Sequence, residues 1–184
     1  MRKLVVAAAA LSSQIPLSGA AGAILTLGGP LSHLCYKSAQ AGDGRSSEIE
    51  GCTRALQEES LSAPDRAATY VNRGIVLMNA GHFSEADADF DSALSLRSNL
   101  PDGWLNKAFL RIRQGDGRAA MSFIGKAMDA GAPDGALVTF ARGVAHEQLG
   151  ELDLAYADLS RAREMAPGWD LPRSYLASYR PRQR

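Results

Sequence analysis

The 184-residue sequence predicts an all-α protein built of stacked helical hairpins, and three observations carry that reading. Small residues recur with a period of 34 or 35: Gly74, Ala108 and Gly143; Gly81, Gly115 and Gly150; Ala86, Ala120 and Ala155; Ala93, Ala127 and Ala162. Where two helices cross closely only Gly or Ala lets the backbones meet, and a glycine between them supplies the reversal, so each period is one hairpin. Apolar residues fall at helical spacing within each period, as in Val71, Ile75 and Met78, and nothing alternates at the period of a strand. The balance of 20 Lys and Arg against 20 Asp and Glu argues against nucleic acid as a partner, because phosphate binding needs a cation excess. The length suffices for one hydrophobic core without a dense disulfide frame.

Residues 1–23 read as a secretory signal peptide: the charged start Met1-Arg2-Lys3, an apolar stretch to Leu11, and the small-residue exit Ala21-Gly22-Ala23. The apolar stretch is short of the roughly 20 residues that a membrane span needs, so anchoring and membrane contact are not expected. Cleavage is expected after Ala23, with export to the periplasm. The remaining chain carries 18 Lys and Arg against 20 Asp and Glu and is slightly acidic.

Residues 24–63 are expected to form an N-terminal cap hairpin, with Gly42-Asp43-Gly44 as its turn and Cys35 and Cys52 on its arms. An even cysteine count in an exported chain reads as one disulfide, and a spacing of 17 is not that of a redox catalyst or zinc ribbon. A terminal hairpin lacks one neighbour, so a covalent clamp is physically sensible there. Residues 64–168 hold three hairpins, entered through Pro64-Asp65, Pro101-Asp102 and Pro133-Asp134. Residues 169–184 are expected to form a short capping helix over Leu171 to Tyr179, covering the last hairpin with Leu171, Tyr175 and Leu176, followed by a basic tail.

These periods resemble the tetratricopeptide repeat family. The first copy supplies Tyr70, Gly74, Gly81, Ala86, Phe90 and Ala93; the second Trp104, Ala108, Gly115, Ala120, Ile124 and Ala127; the third Gly143, Gly150, Ala155, Leu159, Ala162 and Pro167. Thr139 departs from the opening aromatic, Ser98 from the closing proline, and Gly131-Ala132-Pro133-Asp134-Gly135 carries one extra residue. The resemblance implies a solenoid whose concave face, built from the first helix of each hairpin, binds a peptide or protein segment. Matched positions there are Val71, Asn72, Ile75 and Met78, then Leu105, Asn106, Phe109 and Ile112, then Phe140 and Val144. Apolar anchors would supply affinity and the amides would pair with ligand backbone. The same stripe serves equally as core where first helices pack together, and a homodimer through it is the alternative function. Of the positions at which some relatives clamp a C-terminal carboxylate, only Asn106 is matched, so that specificity is not implied.

Where the family places Leu before the small residue of the first helix, this chain has Arg73, Lys107 and Arg142. Asp89 follows Arg73 at the same spacing as Asp158 follows Arg142, which predicts the ion pairs Arg73–Asp89 and Arg142–Asp158; the lysine copy has Phe123 at that place instead. A cationic ladder for an acidic ligand is the other reading of these three cations. No catalytic residue, metal site or cofactor is expected. Asp87, Asp89 and Asp91 lack the glycine and terminal glutamate of a calcium loop, and His33, His82 and His146 stand apart from other metal ligands in the sequence. Phosphate loops and nucleophile elbows are absent from the sequence as well.

Overall fold

The computed structural model describes residues 4–6, 22–26, 28–42 and 44–181. The leader expected over residues 1–23 therefore lies outside the described residues except for Leu4–Val6, Gly22 and Ala23, as do Asp43 of the first turn and the last three residues of the basic tail.

Helices α1 (Pro30–Ala41) and α2 (Ser46–Glu58) form the first hairpin. Then follow α3 (Ala63–Asn79) with α4 (Phe83–Leu96), α5 (Pro101–Arg113) with α6 (Gly117–Asp129), and α7 (Ala136–Gln148) with α8 (Leu152–Met165). A short α9 (Asp170–Leu176) closes the stack. The two helices of each hairpin pack most extensively on each other, consecutive hairpins meet through α4 on α5 and α6 on α7, and the first helices α1, α3, α5 and α7 touch in succession. That arrangement is a solenoid with its first helices on one side.

Three turns close the same way for the same reason. Gly81, Gly115 and Gly150 have φ of 84°, 77° and 77°, the left-handed region that side chains avoid. The residue after each donates back over five positions, His82 to the Leu77 carbonyl, Asp116 to Arg111 and Glu151 to His146, each at 2.9 Å. These are Schellman closures, which satisfy the orphan carbonyls at a helix end. Inside each hairpin the small residue sits under a large one. A Cβ added at Gly74 would lie 2.4 Å from Phe90 Cε1, whereas Ala108 is accommodated in the second copy, where Ile124 replaces the phenyl ring. Phe90, Phe109 and Phe140 are fully buried, and each such burial stabilises the fold by about 1.5–3 kcal/mol.

Cys35 on α1 and Cys52 on α2 are joined by a disulfide, which clamps the cap hairpin. The N-terminus of α1 has Gly29 as its cap residue and no capping side chain of its own. Glu59, just past α2, supplies the missing acceptors: it takes the Leu31 N–H at 2.7 Å and the Ser32 N–H at 3.0 Å. Burial pushes the Glu59 pKa up, but the hydrogen bonds from Ser32, Leu31 and Gly29 outweigh it and hold the carboxyl below its ordinary value. A carboxylate at a helix N-terminus also meets the positive end of the helix dipole.

The end of the final helix is corrected, and two local features are added. The third first helix begins at Ala136, just past the Gly131–Gly135 turn, within which Asp134 meets Arg161 at 3.0 Å and the Thr139 hydroxyl at 3.3 Å. The final helix stops at Leu176 rather than reaching Tyr179. Tyr179–Pro181 forms a strand, β2, antiparallel to β1 (Leu4–Val6), with Val5 opposite Arg180. Three-residue segments this far apart in the sequence cannot announce such a pair by periodicity.

Candidate functional site

The ten residues expected to face a partner are brought together along α3, α5 and α7, and all are buried, none more than 5% exposed. This corrects the picture of an open apolar groove. Val71, Ile75, Met78, Leu105, Phe109, Ile112, Phe140 and Val144 belong to one core cluster. Phe140 shows why: Trp169 and Tyr175 pack edge-on against it with ring centroids 4.8 Å and 5.2 Å away, so the C-terminal segment covers the last hairpin.

The two amides remain, and they face backbone. Asn72, in the middle of α3, accepts the Ile24 N–H on Oδ1 at 2.8 Å and donates from Nδ2 to the Ile24 carbonyl at 2.7 Å. Both backbone groups of one residue are thus held by one side chain, as a neighbouring strand would hold them. Asn106 stands one repeat later at the same place on α5. Its Nδ2 donates to the Asp102 carbonyl at 2.9 Å and to the Gly22 carbonyl at 3.3 Å, while its Oδ1, buried, has no hydrogen-bond partner among the described residues. At the equivalent place on α7 stands Ala141, so the row of amides has two members.

The wall beyond Asn106 is acidic. A Cβ on Gly22 would lie 3.0 Å from Asp102 Oδ1 and 3.9 Å from Leu137, so this end of the site takes a small residue. Burial raises the Asp102 pKa more than its own backbone N–H and Arg97 lower it. Ala23 and Ile24 pack against the core cluster, and Thr26 is buried.

Arg73 reaches Asp89 through two bonds of 2.7 Å, and Arg142 reaches Asp158 at 2.7 and 2.8 Å. Each pair ties the two helices of one hairpin. Hydrogen bonding to Asp89 and Asp158 raises the pKa of both guanidiniums, while burial lifts Asp89 more than Arg73 lowers it. Lys107 turns the other way. Its Nζ lies 2.8 Å from Asp87 and 2.6 Å from Asp91, both on α4 of the preceding hairpin, and 5.5 Å from the centroid of the Phe123 ring. Arg111 joins the same cluster through Asp87 at 2.6 Å. The three aspartates of α4 are therefore engaged by cations of α3 and α5. His82 and His146 contact Glu85 and Glu151 at 2.7 Å and 2.5 Å. Among the described residues no cluster of His, Cys, Asp or Glu could hold a metal ion, and no helix is long and apolar enough to cross a membrane.

Residues 67–100 match the family model described as tetratricopeptide repeat, and no curated protein matches the sequence. Among solved structures the chain is similar to YrrB, described as "a TPR protein with an unusual peptide-binding site", at 24% identity and a TM-score of 0.56. That match covers 68% of this chain and 62% of YrrB, less than two thirds of the latter's length. It is also similar to MamA 41-end from Desulfovibrio magneticus RS-1, at 19% identity and a TM-score of 0.54, over 80% of this chain and 82% of that one. A double mutant of MamA from RS-1 matches at the same identity with a TM-score of 0.56. The chain therefore carries a match to the tetratricopeptide repeat over residues 67–100 and shares its stacked-hairpin fold with these solved structures.

Proposed function

We propose that the protein is a non-catalytic interaction module that binds a peptide or protein segment on the concave side of its first helices. The observation that carries the reading is Asn72, whose one amide takes both the N–H and the carbonyl of Ile24. A buried amide aimed at main chain recognises an extended segment whatever its side chains, and the apolar surroundings add area to that contact. YrrB, with the related fold, is described as having a peptide-binding site, which supports the class of partner. Catalysis is not part of the reading, since function must be argued from a site.

Export to the periplasm belongs to the same proposal. A disulfide between Cys35 and Cys52 persists in an oxidising compartment, which supports it.

The test is selection of extended peptides from a displayed library against the full chain, repeated with an Asn72→Ala, Asn106→Ala variant whose helical circular dichroism is unchanged. Peptides that bind the parent and not the variant support the groove. Peptides that bind both equally place the interaction elsewhere and overturn it.

A further inference from the structure

Residues 22–26 are neither helix nor strand, yet they are held on the first helices of two successive hairpins. The register is regular. Asn72 of α3 holds residue 24 and Asn106 of α5 meets residue 22, so one hairpin step corresponds to two residues of the segment, the spacing at which main-chain groups recur on one edge of an extended chain. The polar contacts to Gly22 and Ile24 are to their main chain: two from Asn72 and one from Asn106. Their positions are otherwise filled by size, a glycine against Asp102 and an aliphatic chain against the core.

We infer that in the uncleaved chain residues 22–26 are a built-in occupant of the amide groove, and that an extended peptide binds there in trans only by displacing them. This rests on the groove reading above and adds its regulation and the ligand's pattern: a small residue over Asn106, then two positions later an aliphatic residue over Asn72. Two observations make the segment displaceable rather than a fixed part of the wall. Recognition through main chain alone gives the chain's own residues no advantage over another peptide of similar size. Asn106 also keeps a fully buried Oδ1 without a partner among the described residues, although Asn72 uses both of its amide atoms on one residue. A trans peptide whose N–H reached that oxygen would complete the second contact, which the resident segment leaves half made. Against this, a tethered segment competes at the high effective concentration of a short linker, about millimolar, so the resting groove is self-occupied. Cleavage after Ala23, as the export reading expects, removes Gly22 and opens Asn106, leaving Ile24 on Asn72 as the resident contact.

The experiment uses the full chain and a fluorescent, terminally blocked pentapeptide of sequence Gly-Ala-Ile-Leu-Thr. Ile24→Pro removes the N–H that Asn72 Oδ1 accepts while leaving every helix residue in place. The expected result is at least tenfold tighter peptide binding by Ile24→Pro than by the parent, abolished when Asn72→Ala is added. Equal binding by the parent and Ile24→Pro overturns the inference. Amide exchange in the parent gives a second reading that does not depend on the proline variant folding. Protection of the Ile24 N–H that is lost in Asn72→Ala supports the seated segment, and an unprotected Ile24 N–H overturns it. The two proposals fail differently. If library peptides bind through Asn72 but Ile24→Pro gains nothing, the occupant falls and the groove stands; if Ile24 is protected through Asn72 yet no peptide binds any variant, the groove falls as a trans site and displacement with it.

Discussion

Arg73 and Asp89 meet in a forked pair of 2.7 Å bonds across one hairpin, and Arg142 and Asp158 repeat the fork two hairpins further on. Asp89 is 4% exposed, so the carboxylate has little water to fall back on. Asp89→Ala is expected to cost about 3 kcal/mol, because it leaves a half-buried guanidinium unmatched. Arg73→Lys should lose most of the same stability, since an ammonium cannot fork onto both oxygens. Replacing both by Met and Leu should cost clearly less than the sum of the single losses. Urea unfolding of the parent, Arg73→Met, Asp89→Leu and the double variant completes the cycle, and strict additivity would show that the pair is not coupled.

Glycines of the same type should respond in opposite directions. At Gly74 a methyl group would meet Phe90 at 2.4 Å, whereas at Gly125, inside α6, nothing lies within 4 Å. Gly74→Ala is expected to destabilise by about 1–3 kcal/mol through overpacking, and Gly125→Ala to stabilise by up to about 1 kcal/mol through helix propensity. Thermal unfolding of each variant reads the sign directly.

Glu59 gives the cap hairpin a pH dependence with a defined sign. Its folded-state pKa lies below the ordinary 4.5, so its contribution to stability is fully present above the unfolded-state value and is lost as the pH falls through the folded-state value. The stability gap between the parent and Glu59→Gln should therefore be widest near neutrality and shrink in acid. Denaturant midpoints across that range test it, and a gap that widens in acid would reverse the assignment.

Opening the clamp should loosen one end of the stack. Replacing Cys35 and Cys52 by alanine frees a loop of 17 residues and is expected to cost about 3 kcal/mol in the chain-entropy account. In a solenoid the loss stays local, so amide exchange should rise in α1 and α2 well before α7 and α8. Uniform acceleration along the chain would mean the cap and the repeats unfold as one.

The repeat architecture was legible because its causes are local: glycines that must turn, small residues that must be crossed, and apolar positions at helical spacing. Gly81, Gly115 and Gly150 all adopt positive φ for that reason. The site was legible only as composition. Asn72 and Asn106 stand out as amides in an apolar stripe, but what they bind lies 48 and 84 residues away, and no local pattern encodes contacts at that separation. The partners of Lys107 were hidden similarly: the place that matches the aspartates of the two arginine pairs holds Phe123, while its carboxylates come from the preceding hairpin, in a register set by how α4 packs on α5. The apolar stripe misled because periodicity marks a buried face without saying whether a ligand or the chain itself buries it.

The most direct test of the central claim is a nuclear magnetic resonance titration of the full chain with a library-selected peptide, following the side-chain amide signals of Asn72 and Asn106. Both are expected to move in proportion to binding while the outward helices α4, α6 and α8 stay still. Saturation that shifts α4, α6 or α8 and leaves both asparagine side chains unmoved would contradict it.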